Sequence, residues 1–381
     1  MTTSPSVDLT SIERELRQIW KQNAADAPGG QAVTRALTLN LVAKAGDPVL
    51  AEQISALFQS LTAGHPHRGI LLVDQGRNDG VDLTAFVQAN CLLTAPGVPQ
   101  VCGEQVTIRA ATAALGRAAS LVLALLVPDL PVALYLPGPE PLGDPLLARL
   151  RGILDRLIVD SADFTTPAPG LYDMAELNDL ANGPAVSDLS WTRLTAWREL
   201  TAQFFDTRPL LPHLRRIDQI EIIYADGQRQ HNPSQALLLA GWLSASLGWA
   251  PLEDAVSQEG DLIRLHLRRP AVGIGPNAIR LVTIDLKPGP AVEGDMVGLA
   301  ALNLRALDGM RAEFNVVRTE DPTRIRTTAH VAGQPAINRI AAVDQGETAA
   351  LLAAELQLRS RDRTFGAALR TAATFARRLQ G

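Results

Sequence analysis

Six histidines, at positions 65, 67, 213, 231, 266 and 330, hold the first claim to chemistry, and none sits at metal-ligand spacing on a recognisable helix. His65-Pro66-His67-Arg68 precedes an apolar run and reads either as an anion or metal contact at a sheet edge or as an ordinary polar loop. The only two cysteines, Cys91 and Cys102, exclude a disulfide framework and a four-ligand zinc site. They read as two small buried hydrophobes or as a redox pair brought together by neighbouring strands. Asp160-Ser161-Ala162-Asp163 follows a strand pattern at its carboxyl end, where α/β folds place ligands, but without a nearby base it reads equally as a cap. In 262–269, Ile263, Leu265 and Leu267 alternate with Arg264, His266 and Arg268. A strand there has one buried and one basic face, which Arg280, Arg305, Arg311, Arg318, Arg324 and Arg326 extend toward an anionic ligand or an acidic partner. A solvated sheet face is the alternative. No G-x-G-x-x-G, Walker or G-x-S-x-G motif occurs, and Gly273-Ile274-Gly275 is too short for a phosphate grip. These absences favour a binding or regulatory protein over an enzyme, and the cysteine and histidine spacing makes a metal role unexpected.

One stretch stands apart from this inventory. Residues 188–206, DLSWTRLTAWRELTAQFFD, hold two of the five tryptophans and two of the eight phenylalanines. At about 100° per residue, Trp191, Leu194, Trp197, Leu200, Phe204 and Phe205 share half of a helix for which Ser190 is the expected N-cap. Arg193 and Arg198 project from within that apolar arc. Arginine beside tryptophan is a composition of protein interfaces, so Trp191, Arg193, Trp197 and Arg198 form a candidate partner-binding set. Arginines that snorkel or pair with acids of the same chain are the alternative.

The elements that must position these residues follow from composition and periodicity. The 381 residues suffice for two domains, and 46% hydrophobic content with a mean hydropathy of +0.07 describes a globular chain. A net charge of −5 and a pI of about 5.7 give no overall positive field for nucleic acid or an anionic membrane. The first twenty residues lack the basic start and apolar block of a secretory signal, so a cytoplasmic location is expected. The apolar run 121–136 is interrupted by Pro128, Asp129 and Pro131 and reads as buried helix, turn and buried strand. Up to about residue 160, strand and helix patterns alternate, predicting a three-layer α/β domain with a mostly parallel sheet and an antiparallel excursion near the cysteines. Residues 165–184 read as a connection, which places domains at 1–183 and 184–381. In the second, strand patterns at 217–225, 262–269, 278–287, 296–304, 311–318 and 323–331 predict an antiparallel sheet, α+β in class, with helices at 234–247, 347–357 and 365–380.

Four stretches in order carry a resemblance: VPDLPVALYLPG (127–138), DRLIVDSADF (155–164), the 188–206 segment and LLLAGWLSASLGW (237–249). With HPHR and VCGEQV (101–106), and above all the pattern D-L-x-W-T-R-L-x-x-W-R-E, the chain resembles the glucose-6-phosphate dehydrogenase assembly proteins, OpcA. The resemblance implies a noncatalytic partner of glucose-6-phosphate dehydrogenase in the oxidative pentose phosphate pathway, one that promotes assembly or raises activity without a cofactor. An enzyme or sensor binding a sugar phosphate or nucleotide on the basic sheet face is the competing expectation, and a purely structural scaffold a third.

Overall fold

A computed structural model describes residues 8–25, 33–35, 37–76, 83–91, 100–225, 232–270, 279–289, 298–307, 311–343 and 346–379. His231 and Gly273-Ile274-Gly275 lie outside them. The chain forms two compact units that interleave in sequence: residues 1–159, 180–187 and 347–360 build the first, and 160–179, 188–346 and 361–381 the second.

The first unit is built on strands β1 (Val33–Arg35), β2 (Leu39–Ala45), β3 (His67–Asp74), β4 (Leu83–Cys91), β5 (Gln100–Ala110), β6 (Val132–Tyr135), β7 (Arg156–Val159) and β8 (Ala185–Asp188). Their order is β1-β5-β3-β2-β6-β7-β8, with β4 paired antiparallel on β5. β5, β3, β2, β6 and β7 pair in parallel. Parallel strands covered on both faces read as continuous apolar runs, as in the fully buried 132–135 and 156–159 segments. The helix Leu115–Leu125, a turn at Asp129 with φ 64° and then β6 account for the long apolar run as expected. No described helix is long and apolar enough to cross a membrane.

Strands β9 (Gln219–Ala225), β10 (Ala250–Glu259), β11 (Leu262–Pro270), β12 (Ile279–Pro288), β13 (Gly298–Ala306), β14 (Ala312–Arg318), β15 (Arg324–Val331) and β16 (Ile337–Ala342) form the sheet of the second unit. The order is β10-β11-β12-β9-β13-β14-β15-β16, antiparallel throughout except for β12 beside β9. One face carries Ile220, Ile222, Leu265, Ile284, Leu304 and Phe314, all nearly inaccessible. The helix Ser234–Leu247 packs on it and ends at Gly248, whose left-handed φ of 67° suits glycine. Gly241 lets the helix Arg363–Arg378 approach closely, since a Cβ there would stand 2.3 Å from the Ala368 carbonyl oxygen.

Three sequence expectations change here. The segment read as a connection contains the helix Pro167–Asp179, part of the second unit's core through Leu171 and Met174. Its prolines lie within the first turn, where no intrahelical N–H is lost. Strands β10 and β16 were not anticipated, because exposed edge strands lack the apolar alternation that marks their inner neighbours. The helix Thr348–Gln357 returns to the first unit instead of covering the second sheet.

Candidate functional site

Strand order in the first unit defines where a ligand would sit. Taken from β2, the order β5-β3-β2-β6-β7-β8 is the 3-2-1-4-5-6 arrangement of dinucleotide-binding sheets, whose crevice opens at the carboxyl ends of the first and fourth strands. Here those strands are β2 and β6. The turn after β2 is Gly46-Asp47-Pro48, and the Asp47 carboxylate accepts the Leu50 N–H at 2.8 Å. A pyrophosphate needs that N–H and a neutral, close-approaching turn, whereas this turn offers a carboxylate and a proline without a donor. Lys44 at the end of β2 is held by Asp144 at 2.7 Å. Asp74, at the end of β3 where a ribose would be recognised, accepts from the Gly76 N–H and the Thr112 hydroxyl. The residues present do not fit a dinucleotide.

The histidine cluster is structural. His67 is buried, its Nδ1 lies 2.7 Å from the His65 carbonyl oxygen, and burial pushes its pKa down to about 4. Arg68 is buried between Glu104 and Glu13, at 2.5 and 2.8 Å, and donates to the Leu125 carbonyl. No described group of three histidine, cysteine or acidic residues is placed to hold a metal. Cys91 and Cys102 are direct partners across β4 and β5 with Cα atoms 4.2 Å apart, and they form a disulfide. Cys102 is fully buried and Cys91 partly exposed.

Residues 188–206 do not form one helix. Asp188 rather than Ser190 is the N-cap of Leu189–Arg193, Leu194 breaks the run, Thr195–Gln203 follows, and a 3-10 turn covers Phe204–Asp206. The aspartate wins the cap because its Oδ1 accepts both the Ser190 and Ser161 N–H groups at 2.9 Å. Trp191 and Trp197 are 4% and 3% exposed, so neither indole is an outward anchor. Trp191 donates from Nε1 to Asp362 Oδ2 at 3.0 Å, and the Arg198 guanidinium lies 3.6 Å over its ring. Trp197 has the Arg318 guanidinium 5.8 Å above it. Phe204 and Phe205 pack on Phe314. Arg193 turns inward and forks onto Asp160, with Nη1 and Nη2 at 2.8 and 2.6 Å from its two oxygens. The arginines of this segment therefore serve their own fold.

Asp160 both caps the following turn and holds Arg193, while the Ser190 hydroxyl donates to it at 2.9 Å. Asn232 spans the same turn, donating to the carbonyls of Ser161, Ala162 and Phe164. Asp188 is completely buried, and desolvation followed by repulsion from Asp160 raises its pKa to about 7. That value would suit an acid–base catalyst, but a carboxyl sealed from solvent meets no substrate. Sequence reasoning named Asp160 and missed Asp188 as a polar centre, because neither burial nor a neighbouring carboxylate shows in a strand-end D-L-S.

The alternation in β11 holds: Ile263, Leu265 and Leu267 are buried and Arg264, His266 and Arg268 face the other way. Arg264 forks onto Asp285 at 2.8 and 3.1 Å, Lys287 meets Glu221 at 2.6 Å, and Arg305 meets Glu313 at 3.3 Å. The Arg264–Asp285 and Lys287–Glu221 pairs, with Arg305 and His266, line a shallow depression of about 430 Å³. The Lys287 ammonium holds the Glu221 carboxyl below its ordinary pKa, with burial opposing and Asn303 assisting. A face whose arginine forks are already filled by carboxylates offers a small anion little.

Fold and site together describe a two-unit protein with a dinucleotide-type strand order, a closed phosphate turn and an open, ion-paired sheet. Similarity to known proteins fixes the kinship of such a chain. A glucose-6-phosphate dehydrogenase subunit N-terminal domain family matches residues 59–176, and the corresponding C-terminal domain family matches 184–369. The chain belongs to the OpcA family of glucose-6-phosphate dehydrogenase assembly proteins. It is 29% identical over 357 residues to a putative oxidative pentose phosphate cycle protein OpcA of Nostoc punctiforme, covering 92% of this chain and 71% of that one. A protein of the same description from Synechocystis is 30% identical over 81% of this chain and 63% of its own length. Among solved structures, an oxidoreductase of Sinorhizobium meliloti aligns over 90% of this chain and 89% of its own with 12% identity and a TM-score of 0.41. A dehydrogenase of Clostridium difficile aligns over 90% and 98% with 9% identity and a TM-score of 0.46.

Proposed function

We propose that this chain is a noncatalytic partner of glucose-6-phosphate dehydrogenase that binds the enzyme and favours its active, assembled form. The observation that carries the reading is the match of both halves, in order, to the two domains of a dehydrogenase subunit family. The closed turn at Asp47 and Pro48 supports it, since in this strand order a dinucleotide's pyrophosphate would meet the turn after β2, and there a carboxylate already takes the Leu50 N–H. Activation follows by preferential binding: a partner that recognises one state of the enzyme raises its population by the ratio of the two affinities. Trp191, Arg193, Trp197 and Arg198 act in this scheme by fixing the shape of the second unit from within. The cytoplasm, where this pathway's enzyme would be met, is the proposed location.

Titrating the protein into purified dehydrogenase from the same organism, with activity and mass followed together, tests this. A saturable rise in activity that coincides with a complex of larger mass is expected. A complex without kinetic change would reduce the role to a scaffold, and no complex at all would remove the reading. Thermal stabilisation of the isolated protein by NADP or glucose 6-phosphate would favour a ligand-binding enzyme instead.

A further inference from the structure

We propose that the open face of the eight-stranded sheet is the surface through which this chain docks, and that its occupant is an acidic face of the dehydrogenase. This rests on the partner reading above and adds where the contact lies and what chemistry it has. The helices placed against this sheet meet the face bearing Phe314 and Ile222, and the opposite face is left to solvent among the described residues. Eight strands at about 4.8 Å spacing span about 34 Å, and with about 22 Å of each in register they give a face of roughly 750 Å², close to the area one partner contributes to a standard interface.

Charge identifies the occupant. Across β9 and β11–β15 every acid on this face is spent on a neighbour, Asp285 on Arg264, Glu221 on Lys287 and Glu313 on Arg305, while on the edge strand β10 Glu259 adds its charge beside Arg264. Arg268 and Arg326 keep no acid among the described residues, so an otherwise acidic chain shows a positive surplus here. Two copies stacked through this face would set surplus against surplus, which disfavours a homodimer and favours an acidic complement. Each surplus arginine also stands beside exposed apolar side chains. Arg268 is the register partner of Leu281, which is 63% exposed, and Arg326 lies between Val317 and Ile340, at 37% and 54%. Arginine flanked by solvent-facing aliphatic groups on a rigid sheet is the composition of an interface centre.

The test is binding of the full chain to purified dehydrogenase from the same organism, measured by calorimetry at about 50 and 500 mM salt. Arg268→Glu and Arg326→Glu, singly and together, are compared with Arg208→Glu, the same charge change as either single reversal at an exposed site elsewhere in the same unit. Circular dichroism checks the fold, and Leu281→Ala with Arg326→Ala provides a milder pair should the reversals misfold. The double reversal is expected to weaken binding at least about tenfold at low salt and less at high salt, with Arg208→Glu unchanged. Full binding by both pairs would overturn the surface while leaving the partner reading intact. Absence of binding by the unaltered protein would overturn both. Dimers of this chain abolished by the double reversal would overturn the occupant in favour of a second copy.

Discussion

Asp188→Asn should change how the stability of the second unit depends on pH. The folded-state pKa of Asp188 is about 7 against an ordinary 3.8, raised first by desolvation and then by Asp160. A raised folded pKa means that the native state holds the proton more tightly than the unfolded one. The group's contribution is therefore complete below about pH 4, falls as pH rises toward 7, and is gone above it. About three pKa units at about 1.4 kcal/mol each give a loss of roughly 4 kcal/mol across that window, an upper figure because relaxation around a buried charge reduces it. Asparagine keeps the oxygen that accepts the Ser161 and Ser190 N–H groups and replaces the orphaned Oδ2 with a neutral donor close to the Ser161 hydroxyl. Urea unfolding at pH 5, 6, 7 and 8 can be followed by tryptophan fluorescence, because Trp191, Trp197, Trp242 and Trp249 lie in this unit. The difference between variant and wild type isolates Asp188 from other titrating groups. It should move in favour of the variant by about 2–3 kcal/mol from pH 5 to pH 8, the part of the window that this range covers. A constant difference across that range would refute a raised pKa for this carboxyl.

Trp197→Ala should cost about 3–5 kcal/mol by cavity formation and lower the melting temperature steeply in a thermal scan, whereas an outward docking residue would leave it unchanged. Arg193→Ala leaves the nearly buried Asp160 carboxylate without its fork, and a loss of about 3–5 kcal/mol is expected by chemical denaturation, with Arg193→Lys recovering part of it. Reduction of the Cys91–Cys102 bridge, or Cys91→Ala, should destabilise the first unit by about 2–3 kcal/mol, given the short 11-residue separation. Thiol labelling before and after dithiothreitol reads the bridge directly, and two labelled thiols in the untreated protein would show that it is absent.

Much of the fold was legible because local pattern and tertiary role coincide. The helix Ser234–Leu247 and the alternation of β11 follow from apolar spacing and from the glycine that ends the helix. The connection was misread because proline-, glycine- and asparagine-rich composition marks loops on average, while prolines confined to a first turn leave a helix intact. The family resemblance was carried by D-L-x-W-T-R-L-x-x-W-R-E, yet the same pattern misled as to where those side chains point. Nothing in one dimension distinguishes an arginine that faces a partner from one that faces Asp160, thirty-three positions earlier.

What the amino-acid order alone determined is the set of buried runs, the absence of a phosphate loop and the kinship. Periodicity and missing glycines are local properties that no packing can undo. Tertiary structure decided which carboxylates meet which guanidinium groups, that Trp191 and Trp197 are sealed, and that a sheet face with two uncompensated arginines is left open. Those outcomes depend on burial and on charges far apart in sequence, since the energy of an ion depends on how much water surrounds it and which charges stand within a few ångströms.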